Sequence, residues 1–242
     1  MNDVHPSVRA LQAEIAAREK DDPLIGPKIA AHEIYQRVFK VLQGERGVHL
    51  ESLLGILGSL AGYACQVAVR MKAANEGMHE AARLVRIDGD DARVYWFGDA
   101  LNAPLFQGEH SVWSLAAGGA QAAGLSALPD IEPILRHVSA TVGTDTFGIP
   151  RGEAAAQLPA APAKIVGAFW SGLRPILRDT CKNPMHWPVA LGIALQRAIE
   201  QGSSALPPDE ALRLVMECAI PMAKIDLGPL EAFALAERSP TS

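Results

Sequence analysis

Aromatic residues are scarce in this chain: Phe, Trp and Tyr make up 5% of 242 residues. A core short of rings must be filled by aliphatic and small side chains, and the many Ala and Gly let helices approach closely. Cysteine is rare too. Cys65, Cys181 and Cys218 are odd in number and widely spaced, which argues against a disulfide framework. No surplus of positive charge exists: 22 Lys and Arg stand against 27 Asp and Glu, a formal charge of −5. A mildly acidic chain offers no electrostatic footprint for nucleic acid or an anionic membrane, and neither is expected as a partner. The first 22 residues are charged throughout and lack the apolar stretch of a signal peptide, so the expected location is cytoplasmic.

Motifs with a known chemistry are also missing. There is no Gly-x-Ser-x-Gly elbow, Walker loop or paired-carboxylate motif. The "AAGGAQAAG" run at 116–124 lacks dinucleotide-binding spacing and follows no strand of a βαβ unit, so it reads as helix packing. Seven histidines are scattered, none at i, i+4. Glu76-x-x-His79 copies half of a di-iron helix motif, but Gly77 interrupts it and no second copy exists, so no metal site is expected. The sequence names no cofactor and leaves open whether the protein is an enzyme.

What is present is hydrophobic pattern. From Ser52 to Val69 no residue is charged. Eighteen helical residues span about 27 Å, close to a bilayer core of about 30 Å. Composition argues for burial instead. Leu53, Ile56, Leu57, Leu60, Ala64 and Val67 form one stripe, and Gly55, Gly58, Ser59, Gly62 and Cys65 form a second of small residues. No Trp marks either end, and Lys or Arg flanks both sides. A helix without a polar face is buried all round. No membrane span is therefore expected, and a central helix over about 50–74 is. The stretch 111–128 is a second candidate buried helix and a possible partner of the first.

Other helices are expected over 7–20 with Ser7 as cap, from Pro27 to about 43 with Val41 inward, and at 130–142 behind Asp130. A short helix near 100–106 should follow Asp99, and more should run over 163–178, 186–201 and 208–225, with Pro221 bending or ending the last. A terminal helix is expected over 228–238. The one β signal is "LVRIDGDDARVYWFGD", a hairpin at about 84–97 reversing at Gly89 and Asp90. Its alternation sets Val94 and Trp96 against Arg93, Tyr95 and Phe97. The fold class is thus mainly α: a single multi-helix domain over 1–242 around one or two buried Gly/Ala-rich helices, with one hairpin. The irregular segment 143–162 is the only plausible internal boundary.

Two functional readings follow. A lone hairpin is marginal in water, and its edge or the small-residue helix faces suit pairing with a second copy. This favours a non-enzymatic assembly module that forms a homodimer. The alternative is a small-molecule binder or enzyme with a pocket between helices, lidded by 143–151 and walled by 178–188. Thr144, Asp145 and Arg151 would bind a polar ligand, Arg151 pairing a carboxylate or phosphate. Cys181 lies among Arg178, Lys182 and His186, where positive charge would lower a thiol's pKa and a Cys–His pair could form.

Overall fold

The uncharged stretch folds as α3, Leu50–Asn75. This is a computed structural model, and it describes residues 5–45, 47–79 and 83–228. By length and hydropathy α3 is apolar enough to cross a membrane, yet its apolar window is wholly buried within the chain. The cover comes from α2 (Ile25–Leu42), α7 (Pro162–Thr180), α8 (His186–Gly202) and α9 (Pro208–Lys224). A helix with no polar face needs partners on every side. Gly58 and Gly62 admit α9. A Cβ at Gly58 would sit 3.0 Å from the Val215 carbonyl oxygen, and one at Gly62 would collide with the Ala219 backbone. Of the small-residue stripe of α3, Gly58 and Gly62 are thus covered by α9 and Gly55 by Leu158 of the same chain.

The second apolar stretch forms α5, Val112–Ala122, which is shorter than expected and packs on α8 and α9 rather than α3. Gly119 meets the Gln196 backbone, and Gly192 of α8 meets the Leu115 side chain. The helix stops because Gly124 turns left-handed, φ 99°, and the N–H groups of Gly124 and Leu125 donate to the carbonyls of Gln121 and Ala120. Glycine closes helices in this way because it lacks a Cβ.

α1 (Pro6–Arg18) is capped by His5 rather than Ser7, whose hydroxyl turns back to His5 Nδ1 at 2.7 Å. α2 begins two residues before Pro27, and Val41 is exposed rather than inward. α4 (Asp99–Asn102) has Gly98 at its cap position, ahead of Asp99, and runs into a π turn over 103–107. Before α6 (Glu132–Ala140), the Asp130 carboxylate accepts the Glu132 N–H at 2.9 Å. α9 passes through Pro221 to Lys224. The terminal helix expected over 228–238 falls, from residue 229 on, outside the described residues.

The hairpin is β1 (Val85–Asp88) against β2 (Val94–Phe97), antiparallel, with Val85 opposite Phe97 and Asp88 opposite Val94. Its reversal is a three-residue loop over 90–92. The Ala92 N–H donates to the Gly89 carbonyl at 3.1 Å, and Ala92 takes a left-handed φ of 61°. A three-residue loop that ends in a left-handed residue is a common hairpin connection. β2 is held on its far side too, where the Asp226 N–H donates to the Val94 carbonyl at 2.8 Å. Tyr95 and Trp96 are both buried, so strict alternation fails: structure covers both faces of β2. All four residues of β1 are exposed.

One apolar cluster runs through the long helices and takes in Tyr95 and Phe147. A smaller one, of Val69, Leu84, Trp96 and Leu101, lies under the hairpin. The irregular segment 143–162 belongs to the main core, since Phe147 enters it and Leu158 reaches Gly55 of α3.

Candidate functional site

The polar residues of the 143–151 segment mostly serve the segment itself. Thr144 Oγ1 donates to the Thr141 carbonyl at 2.8 Å and lies 2.9 Å from Thr146 Oγ1. Such turns are what threonine does in loops. Thr144 and Asp145 are exposed. Arg151 does pair a carboxylate, and the carboxylate is the chain's own. Its Nε and Nη2 both donate to Glu217 Oε1, at 3.0 and 2.7 Å, and Nη2 also reaches the Pro133 carbonyl at 3.2 Å. Glu217 is 7% exposed, so Arg151 satisfies a charge that would otherwise be stranded. A cleft of about 260 Å³ adjoins it, lined also by Glu153, Glu210 and Arg213, and its charges are mixed. With Phe147 stacked edge-on against Tyr95 at 4.7 Å, the segment is tied down at two points.

Cys181 sits at the end of α7, 3% exposed. Burial pushes its thiol up to about 11, against the lowering expected from its basic neighbours. Those neighbours look elsewhere: Arg178 pairs Asp179 at 2.9 Å, and Lys182 is exposed. Burial pushes the half-buried His186 imidazole down, Glu19 pulls it up, and His110 adds to the lowering. Glu19 acts on both Cys181 and His186, so the two share a neighbourhood. Among the described residues no hydrogen bond joins them. The indole N–H of Trp187 donates instead to the Cys181 carbonyl at 3.3 Å, which ties the start of α8 to the end of α7. A buried thiol with a raised pKa is a weak nucleophile. Nor do three His, Cys, Asp or Glu gather as metal ligands among the described residues.

The hairpin presents a different feature. β1 is the outer strand of a two-stranded sheet, and its outer edge has no strand partner among the described residues. Val85 is 60% and Ile87 39% exposed, on the sheet face shared with Phe97 and Tyr95. Arg86 and Asp88, on the other face, pair with each other at 2.7 Å.

A polar seam between α3 and α7, near Trp96 of the hairpin, was not legible in the sequence. Tyr63 and Trp170 are 0% and 2% exposed, with their rings edge-to-face at 4.8 Å. Among the described residues neither the Tyr63 hydroxyl nor Trp170 Nε1 has a hydrogen-bond partner. One turn beyond Tyr63, Gln66 Nε2 donates to the carbonyls of Ala223 and Ile225 at 3.2 and 3.0 Å, while its Oε1 has no donor among the described residues. Each such group costs about 1–3 kcal/mol if nothing fills the gap. Arg70 and Asp226 meet at 3.6 Å, Asp226 accepts the Trp96 indole N–H at 3.1 Å, and the Arg70 guanidinium lies over the Trp96 ring at 5.1 Å. Burial pushes the Tyr63 phenol up; the charge of Arg70 opposes this, Asp226 adds to it, and Arg174 opposes it more weakly. The sequence signal was slight: Tyr63 and Gln66 are polar interruptions of an apolar run, and Trp170 and Arg174 stand one helical turn apart.

Compared with known protein families, with curated proteins and with solved structures, the chain matches none.

Proposed function

We propose that this protein is an assembly module, non-enzymatic, that pairs with a copy of itself through the edge of β1. The observation that carries this reading is an outer strand that has no strand partner among the described residues and exposes Val85 and Ile87. Half of that strand's amide and carbonyl groups point away from β2, and an open edge is a template for another strand. Two β1 strands related by a twofold axis would make one four-stranded antiparallel sheet and continue the Val85–Ile87 face across it. The alternative assembly surface, the small-residue face of α3, is occupied by α9 at Gly58 and Gly62 and by Leu158 at Gly55.

The ligand-binding reading of 143–151 with 178–188 has less support, because Arg151 is neutralised by Glu217 and the Cys181 thiol is buried. Sedimentation equilibrium over a range of concentrations tests the assembly. The wild type is expected as a dimer, and Ile87→Lys as a monomer with an unchanged far-UV spectrum. A wild type that stays monomeric at every working concentration removes the reading.

A further inference from the structure

We propose that the cleft beneath α1 binds an aliphatic carboxylate, with its chain between α1, α2 and α7 and its head against the α2 rim. The cleft shares no residue with the β1 edge and is independent of the assembly reading. It exists because α1 is pinned at one end. Ile15 is the buried residue of α1. Gly26 of α2 makes room for it: a Cβ there would touch Ile15 and collide with the Thr180 carbonyl oxygen at the end of α7. One and two turns earlier, Leu11 and Val8 continue the same stripe but stay half-buried. With Ile29, Pro175 and Ile176 they line a space of about 520 Å³. Pockets for small organic ligands are of this size and mostly apolar.

The polar groups of the cleft favour an anionic head on the α2 side. Lys28, His32 and Arg37 line it and are exposed, with Glu33 among them and Asp179 across on α7. Arg37 holds Glu33 at 2.8 Å and Lys28 holds Asp22 at 2.7 Å, yet a guanidinium and an ammonium each have further N–H donors. His32 adds one more. Its Nδ1 lies 3.2 Å from Arg197 Nη1, and a guanidinium cannot accept, so the neutral ring carries its proton on Nε2. A cationic head would face Lys28 and Arg37 instead. Because these side chains are exposed, a carboxylate beside them keeps part of its hydration while its chain leaves water.

The test titrates the intact protein calorimetrically with sodium butanoate, hexanoate and octanoate, all below micelle-forming concentrations. Octanoate is expected to bind saturably, and affinity should rise roughly two- to fourfold per methylene, as burial of a chain requires. Octylammonium chloride at matched ionic strength should bind more weakly than octanoate. Leu11→Glu puts a carboxylate among the apolar groups and should weaken octanoate roughly tenfold or more. His32→Ala should weaken it roughly tenfold through loss of a hydrogen bond to a charged group. His32 is exposed, so this variant decides the matter even where Leu11→Glu does not fold, which circular dichroism verifies. Val41→Ala, on α2 but outside the cleft, should change nothing. Absence of saturable octanoate binding overturns the proposal. So does an affinity that is flat with chain length, octylammonium bound as tightly as octanoate, or binding that His32→Ala leaves unchanged.

Discussion

Lys224, the last residue of α9, is only 8% exposed, and its ammonium lies 4.2 Å from the centre of the Phe97 ring. Burial pushes its pKa down from 10.5 to about 8. The charged form is thus disfavoured in the folded chain, by about 3 kcal/mol for a shift of this size. The aromatic face returns about 0.5–2 kcal/mol of that. The sign follows from linkage. Between pH 8 and 10.5 the unfolded chain holds a proton on Lys224 that the folded chain has lost, so stability rises with pH across that window. Below pH 8 both states are protonated and the penalty stands in full. Lys224→Met is therefore expected to gain about 1–2 kcal/mol at pH 7, and the gain should shrink as pH rises towards 10.5. Urea denaturation of both proteins at several pH values measures the difference. A gap that does not narrow would mean that the amine reaches water.

At the scale of the helices, contact between α3 and α9 depends on the missing side chains of Gly58 and Gly62. Gly62→Ala places a methyl group against the Ala219 backbone, which cannot swing away as a side chain does. Overpacking of this kind costs about 1–3 kcal/mol, more than the ~1 kcal/mol that alanine gains in helix propensity. Gly172→Ala in α7 is the control, since its Cβ meets nothing within 4 Å. It should be stabilising by about 0.4–1 kcal/mol. Chemical denaturation should move the two variants in opposite directions, and a neutral Gly62→Ala would show that the helices sit further apart. Legibility in the sequence follows the same physics. α3 was readable because nothing charged interrupts it from Ser52 to Val69. α9 was legible as a helix over 208–225 but not as the partner of α3, because it carries Asp209, Glu210, Arg213, Glu217 and Lys224, and the burial of Glu217 and Lys224 depends on Arg151 and Phe97 from elsewhere in the chain. The α3–α7 seam was hidden for a like reason: Tyr63 and Trp170 are far apart in sequence, and each taken alone reads as core.

For the whole molecule, the question is whether 143–162 divides the chain. A Gly-, Pro- and Thr-rich stretch of that length is what a linker looks like. Yet Phe147 and Leu158 both enter the core built around α3, which also takes residues from helices before and after the segment. Helices on either side also pack across it, with α3 against α7, α8 and α9, and α5 against α8. A core shared in this way has no seam along which one half could unfold and leave the other intact. The tryptophans report on different parts of it: Trp170 and Trp187 in the main core, Trp96 in the small cluster under the hairpin, and Trp113 partly buried on α5. Unfolding in urea should therefore give one transition, with the midpoint from tryptophan fluorescence equal to that from far-UV circular dichroism. Two resolved transitions, or a stable proteolytic fragment cut within 143–162, would establish two units and place the boundary in that segment.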